Sequence, residues 1–116
     1  MKITGTDCQY EMIAAKDALE LIQGKWRIPI VLSIVYGNKR FGEIRRAVSN
    51  ISPKMLAQEL KALEENKIIT RKPYDTMPIT VEYSLTPLGA SMKQLLVELL
   101  NWGISFRKEL THKNQV

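Results

Sequence analysis

Between Phe41 and Asn66 the chain reads as two short helices with almost nothing between them, and directly afterwards the hydrophobic period changes. No other feature restricts the fold as much. Phe41, Ile44 and Val48 recur at spacings of three and four, which predicts a helix over 41–48 with Gly42 as its weakest position. Ser49-Asn50-Ile51 reads as a tight turn. Ser52 then caps a further helix, with Pro53 at its first position, running to about Asn66. At about 100° per residue, Leu56, Leu60 and Leu63 share one narrow arc, and Lys54, Gln58 and Lys61 fall roughly opposite. Beyond Ile68 the period becomes two. Ile79, Val81, Tyr83 and Leu85 alternate with Thr80, Glu82 and Ser84, the pattern of a half-buried strand. Ile68 to Pro73 is the expected partner strand, with Tyr74-Asp-Thr-Met-Pro78 as the loop.

The flanks are helical. A first helix is expected from Asp7 or Cys8 to Gln23, with Thr6 and Gln9 fitting a capping box and Gly24 as its stop. A second, Lys25 to Tyr36, is apolar on nearly every side and belongs in the core, with Pro29 in its first turn or just past it. Thr86 and Pro87 open a last helix that continues through about Glu109, followed by a polar, frayed tail from Thr111. Its Leu88, Met92, Leu95, Leu96, Leu99, Ile104 and Phe106 make an apolar surface too wide for one small domain to cover. The expected fold is mostly α with a small β-hairpin, a winged helix-turn-helix in a single domain over 1–116.

The helix after the turn would lie in a DNA major groove in such an architecture, and the hairpin would touch the flanking backbone or minor groove. Charge placement agrees. Residues 39–72 carry nine basic side chains against four acidic ones, whereas the segments before and after each carry four of both, so the whole +5 excess lies in the middle third. Gln58 has the donor–acceptor pair that reads adenine. Lys54 and Lys61 suit phosphate or guanine acceptors, Ser52 a phosphate or base, and Met55 a thymine methyl. Arg45 and Arg46, with Arg71, Lys72 and Tyr74 around the hairpin, are candidate phosphate contacts. The competing reading is an ordinary amphipathic helix in a winged helix used as a protein-interaction module without DNA binding.

Other classes find little support. The single His112 lies in the tail with no acid or thiol set around it, so neither an enzyme nor a metal site is expected, and no cofactor is implied. One cysteine excludes an intrachain disulfide and fits a cytoplasmic protein, nucleoid-associated when bound to DNA. The longest apolar run, Ile28 to Tyr36, is too short for a bilayer span, and no apolar segment follows the opening residues as in a signal peptide.

Taken in order, Cys8, Gly24-Lys-Trp26, Gly37-Asn-Lys-Arg-Phe-Gly-Glu-Ile44, Ile51-Ser-Pro-Lys-Met-Leu56, Leu60-Lys-Ala-Leu-Glu64, Ile68, Arg71, Pro78, Val81-Glu-Tyr-Ser-Leu-Thr86, Leu88-Gly89 and Trp102 span most of the chain. In order, spacing and total length this set resembles the HxlR-type transcriptional regulators, winged helix proteins related in architecture to MarR. The resemblance implies a homodimer on inverted-repeat operators. Its contacts would come from an N-terminal dimerisation helix (1–24) and a C-terminal one (87–110) around a winged helix core (25–86). Tyr10, Ile13, Leu96, Leu99, Leu100, Trp102 and Gly103 are the candidate interface residues. It also implies that Cys8 matches a cysteine that senses oxidants or electrophiles in some relatives. A helix start favours negative charge on that sulfur, while Asp7 and Glu11 oppose it. Two positions depart from the family pattern: Gln9 stands where proline commonly follows the cysteine, and Pro29 replaces an apolar residue. No small-molecule effector is indicated.

Overall fold

In the computed structural model, which describes residues 8–114 and the side chains of 8–111, the leucine arc of the post-turn helix is the centre of the molecule. Leu56, Leu60 and Leu63 are at most 1% exposed and pack with Ile30, Val31, Ile34, Ile44, Ile51, Ile68, Ile69, Tyr83 and Leu96. The elements run α1 (Cys8–Ile22), α2 (Arg27–Val35), α3 (Phe41–Val48), α4 (Pro53–Glu65), β1 (Ile69–Tyr74), β2 (Thr80–Leu85), α5 (Pro87–Ala90) and α6 (Lys93–Asn114). The Thr6 half of the expected capping box and a start at Asp7 lie outside the described residues.

α2 begins two residues later than the sequence suggests. Gly24 takes a left-handed φ of 95°, the chain bends through Trp26, and Trp26 becomes the N-cap. Pro29 is then the third helical residue, where its missing N–H has no partner to lose. Ser33, the buried polar residue of this helix, donates its hydroxyl to the Ile30 carbonyl at 2.8 Å. Gly37 (φ 104°) ends the element, and Asn38 donates from backbone and side chain to the Ser33 carbonyl.

β1 and β2 pair antiparallel, with Ile69 opposite Leu85, Lys72 opposite Glu82 and Tyr74 opposite Thr80. A third short segment joins them, unmarked in the sequence. Arg40 bridges Glu82, and the Tyr83 N–H donates to the Lys39 carbonyl at 2.7 Å. The hairpin is thereby hydrogen-bonded to the chain that enters α3.

The expected single last helix is two. Thr86 caps α5, its hydroxyl accepting from the Gly89 N–H at 2.9 Å and donating back to the Lys67 carbonyl at 2.6 Å. Gly89 lies so close to the Ile68 carbonyl that a Cβ would overlap it. Pinned this way, the helix cannot run straight on. At Ser91 the N–H is shared between the Pro87 and Leu88 carbonyls, at Met92 the backbone bond is a three-residue step to Gly89, and α6 restarts at Lys93. α6 then continues past Glu109 to Asn114, so the first part of the expected frayed tail is helical.

Among the described residues, α1 and most of α6 cover little of the core. Among the described residues none in α1 is buried. Its last turn, through Leu21 and Ile22, packs against the body beside Ile28, Val31, Leu63, Met92 and Leu96. The Cα radius of gyration is 17.2 Å, against about 13 Å for a compact chain of this length.

Candidate nucleic-acid interface

α4 starts cleanly because Ser52 accepts the Met55 N–H at 3.1 Å and Pro53 supplies a preset first residue. Burial of the leucine face fixes the rotation of the helix. Lys54, Gln58 and Lys61 are therefore exposed, and Met55 is 39% exposed beside them. Ser52 uses one lone pair on the cap, which leaves its O–H able to donate to another acceptor.

The approach to α4 is cationic. Arg45, Arg46 and Ser52 line one open concavity of about 610 Å³ with Ser49, Asn50 and Ile51. Glu43 stands at the third position of α3, where one carboxylate oxygen accepts the N–H groups of Lys39 at 3.0 Å and Arg40 at 3.1 Å. Those two bonds hold its carboxyl below the usual glutamate range, and the Arg40 and Arg46 charges add to the effect. It is thus a capping anion rather than a free negative charge.

On the hairpin, Arg71, Lys72 and Tyr74 are exposed, and the Lys72 ammonium sits 5.3 Å from the Tyr74 ring centroid. Thr76 braces the tip. Its hydroxyl donates to the Pro78 carbonyl and accepts the Thr80 N–H at 3.1 Å, leaving Met77 fully exposed at the end of the wing.

The remaining predicted residues divide. Tyr10, Ile13, Leu99, Leu100 and Trp102 are exposed in the single chain, and among the described residues nothing lies within 4 Å of where a Gly103 Cβ would stand. Leu96 is a correction. At 2% exposure it belongs to the chain's own core, because α6 docks on α2 through that turn, and it is not available to a partner. The Cys8 thiol is free and exposed, with the Met12 sulfur at 3.9 Å. Sequence reasoning missed Arg27 and Glu59. Arg27 donates to the Glu20 and Leu21 carbonyls at the end of α1 and faces the Glu59 carboxylate of α4 at 3.7 Å. An arginine just beyond a helix stop is the signal that could have found it.

Two short helices joined by a tight turn, the second with an outward polar face, and a basic hairpin behind them define a winged helix-turn-helix protein. The chain matches the HxlR-like helix-turn-helix family over residues 21–111. It is 44% identical over 84 residues to the uncharacterized HTH-type transcriptional regulator YkvN of Bacillus subtilis (strain 168), covering 72% of this chain and 71% of that one. Its fold superposes on the redox regulator HypR in its reduced form with a TM-score of 0.80 at 34% identity, over 85% of this chain and 98% of HypR. The reduced form of the transcriptional regulator YodB from B. subtilis gives 0.72 at 34% identity, over 80% and 91%. The chain belongs to the HxlR-like helix-turn-helix family of transcriptional regulators.

Proposed function

We propose that this protein binds an operator in double-stranded DNA as a homodimer, with α4 in the major groove and the wing on the adjoining backbone or minor groove. The observation that carries the reading is the outward Lys54–Gln58–Lys61 flank opposite a fully buried leucine face. Gln58 is assigned to base reading, and Lys54, Lys61 and Met55 to the groove around it. Ser52, Arg45, Arg46, Arg71, Lys72 and Tyr74 are assigned to the phosphates on either side.

Exposed apolar residues on both flanking helices support a dimer. α6 presents Leu95, Leu99, Trp102 and Phe106 along one side and Val97, Leu100 and Ile104 along another, and α1 adds Tyr10, Met12 and Leu19. Surfaces of this kind on a regulator of this size call for a second chain. The 25–86 core would then read DNA while 1–24 and 87–110 hold the two copies together. Sequencing the duplexes that the purified protein retains from a random pool tests the reading. The expected product is an inverted repeat whose half-sites lie about one helical turn, roughly 34 Å, apart. Retention without any enriched sequence would remove it in favour of the interaction-module reading.

A second function, thiol sensing through Cys8, is favoured by one observation: the free thiol is solvent-exposed on α1, in a chain whose fold resembles structures of redox regulators. Mild diamide treatment should change operator affinity in the wild type and leave Cys8→Ser unaffected. Equal responses would exclude Cys8 as the sensor.

A further inference from the structure

Arg45 and Arg46 are adjacent and look interchangeable as cations, yet the fold uses them differently. The chain between α3 and α4 passes through two consecutive left-handed residues that are not glycine, Ser49 at φ 68° and Asn50 at φ 61°. Residues with a Cβ disfavour that conformation, so the surroundings must hold it. Arg45 does so at both ends of the turn. Its carbonyl accepts the Ser49 N–H at 3.0 Å, and its Nε donates to the Ile51 carbonyl at 3.2 Å. Ile51 is buried, and the next residue, Ser52, is the N-cap of α4. One side chain of α3 is therefore fastened to the residue before the reading helix. Arg46 lies back along its own helix, with Nη1 3.5 Å from where a Gly42 Cβ would stand.

We propose that Arg45 is a positioning residue: it sets the start of α4 relative to α3, and through it the bases that Gln58 and Lys54 reach, while Arg46 contributes charge. This role rests on the assignment of α4 as the DNA-reading helix. Its physical basis is the narrow tolerance of hydrogen bonds to base edges, which weaken steeply with small errors in distance and angle. Lysine at position 45 would keep the charge beside the concavity that Arg45 lines but lacks the planar guanidinium whose Nε bonds Ile51.

The test compares Arg45→Lys and Arg46→Ala with wild type on the selected operator and on a scrambled duplex, across a salt series, with thermal unfolding of each protein. R45K should keep the wild-type salt slope while its preference for operator over scrambled duplex falls about tenfold. R46A should lose affinity for both duplexes alike and reduce the slope by about one. If R45K loses its cooperative unfolding transition, the comparison is made between N50G and R45K/N50G, since glycine relieves the left-handed backbone. R45K or its N50G counterpart discriminating as well as its parent would overturn the role. A wild-type chain that prefers no duplex would instead overturn the DNA reading itself, and this role with it.

Discussion

Gln58 and Lys72 are both exposed and polar, but they face different chemistry. In the proposed complex the amide would satisfy the donor and acceptor of one adenine, whereas the ammonium over Tyr74 would meet whichever phosphate arrives. Gln58→Ala should relax preference at one base position by about 1–3 kcal/mol, measured by binding to a panel of singly substituted operators. Lys72→Ala should weaken the whole panel evenly. Equal profiles for the two variants would contradict this division. Glu43 gives a pH-dependent counterpart. Its folded-state pKa is lowered by the Lys39 and Arg40 N–H groups, so its stabilisation is complete above the ordinary glutamate range. That contribution is lost as pH falls through the lowered value. Thermal unfolding followed from neutral to acid pH should therefore decline less for Glu43→Gln than for wild type. Parallel curves would show that the cap does not matter. The outward side chains were legible from helical periodicity alone, because burial of three leucines fixes the rotation of α4. Arg45's bond to Ile51 was not, since a side chain reaching across a turn leaves no periodic mark.

At the level of elements, α3, α4 and the hairpin follow from caps and periods, and α5–α6 shows where such signals stop. Leu88, Met92, Leu95 and Leu99 keep helical spacing across Ser91, so nothing local announces the break. Its cause is tertiary: the Thr86 cap and the contact of Gly89 with the Ile68 backbone tie α5 to the start of the hairpin. Gly89→Ala should accordingly cost about 1–3 kcal/mol in chemical denaturation, well beyond the gain that alanine brings to an unconstrained helix. A neutral or stabilising substitution would mean that this packing is not what divides the helix. The Lys39–Arg40 addition to β2 was hidden for a similar reason. Two residues are too few to display a period, and their pairing depends on the hairpin arriving beside them.

The whole molecule is more extended than its length requires, because α1 and most of α6 stand away from the core. A wide apolar surface on α6 was legible; which residues remain uncovered was not. Leu96 and Leu100 sit one turn apart on the same helix, yet Leu96 is buried in the chain's own core while Leu100 is exposed. Trp102, stacked on Phe106 at 5.2 Å and exposed on α6, is the residue whose change should act most cleanly on a dimer. Trp102→Glu should sediment as a monomer at concentrations where wild type is dimeric, with unchanged far-ultraviolet dichroism. Two dimers would place the interface elsewhere, and two monomers would contradict the proposed dimer. The central claim is that the outward flank of α4 and the basic residues around it form a surface for DNA. Affinity for the selected operator, titrated from 50 to 200 mM salt, tests it most directly. Neutralising six or more phosphates should lower that affinity about a thousandfold over this range. An affinity that stays flat across the titration would contradict the claim.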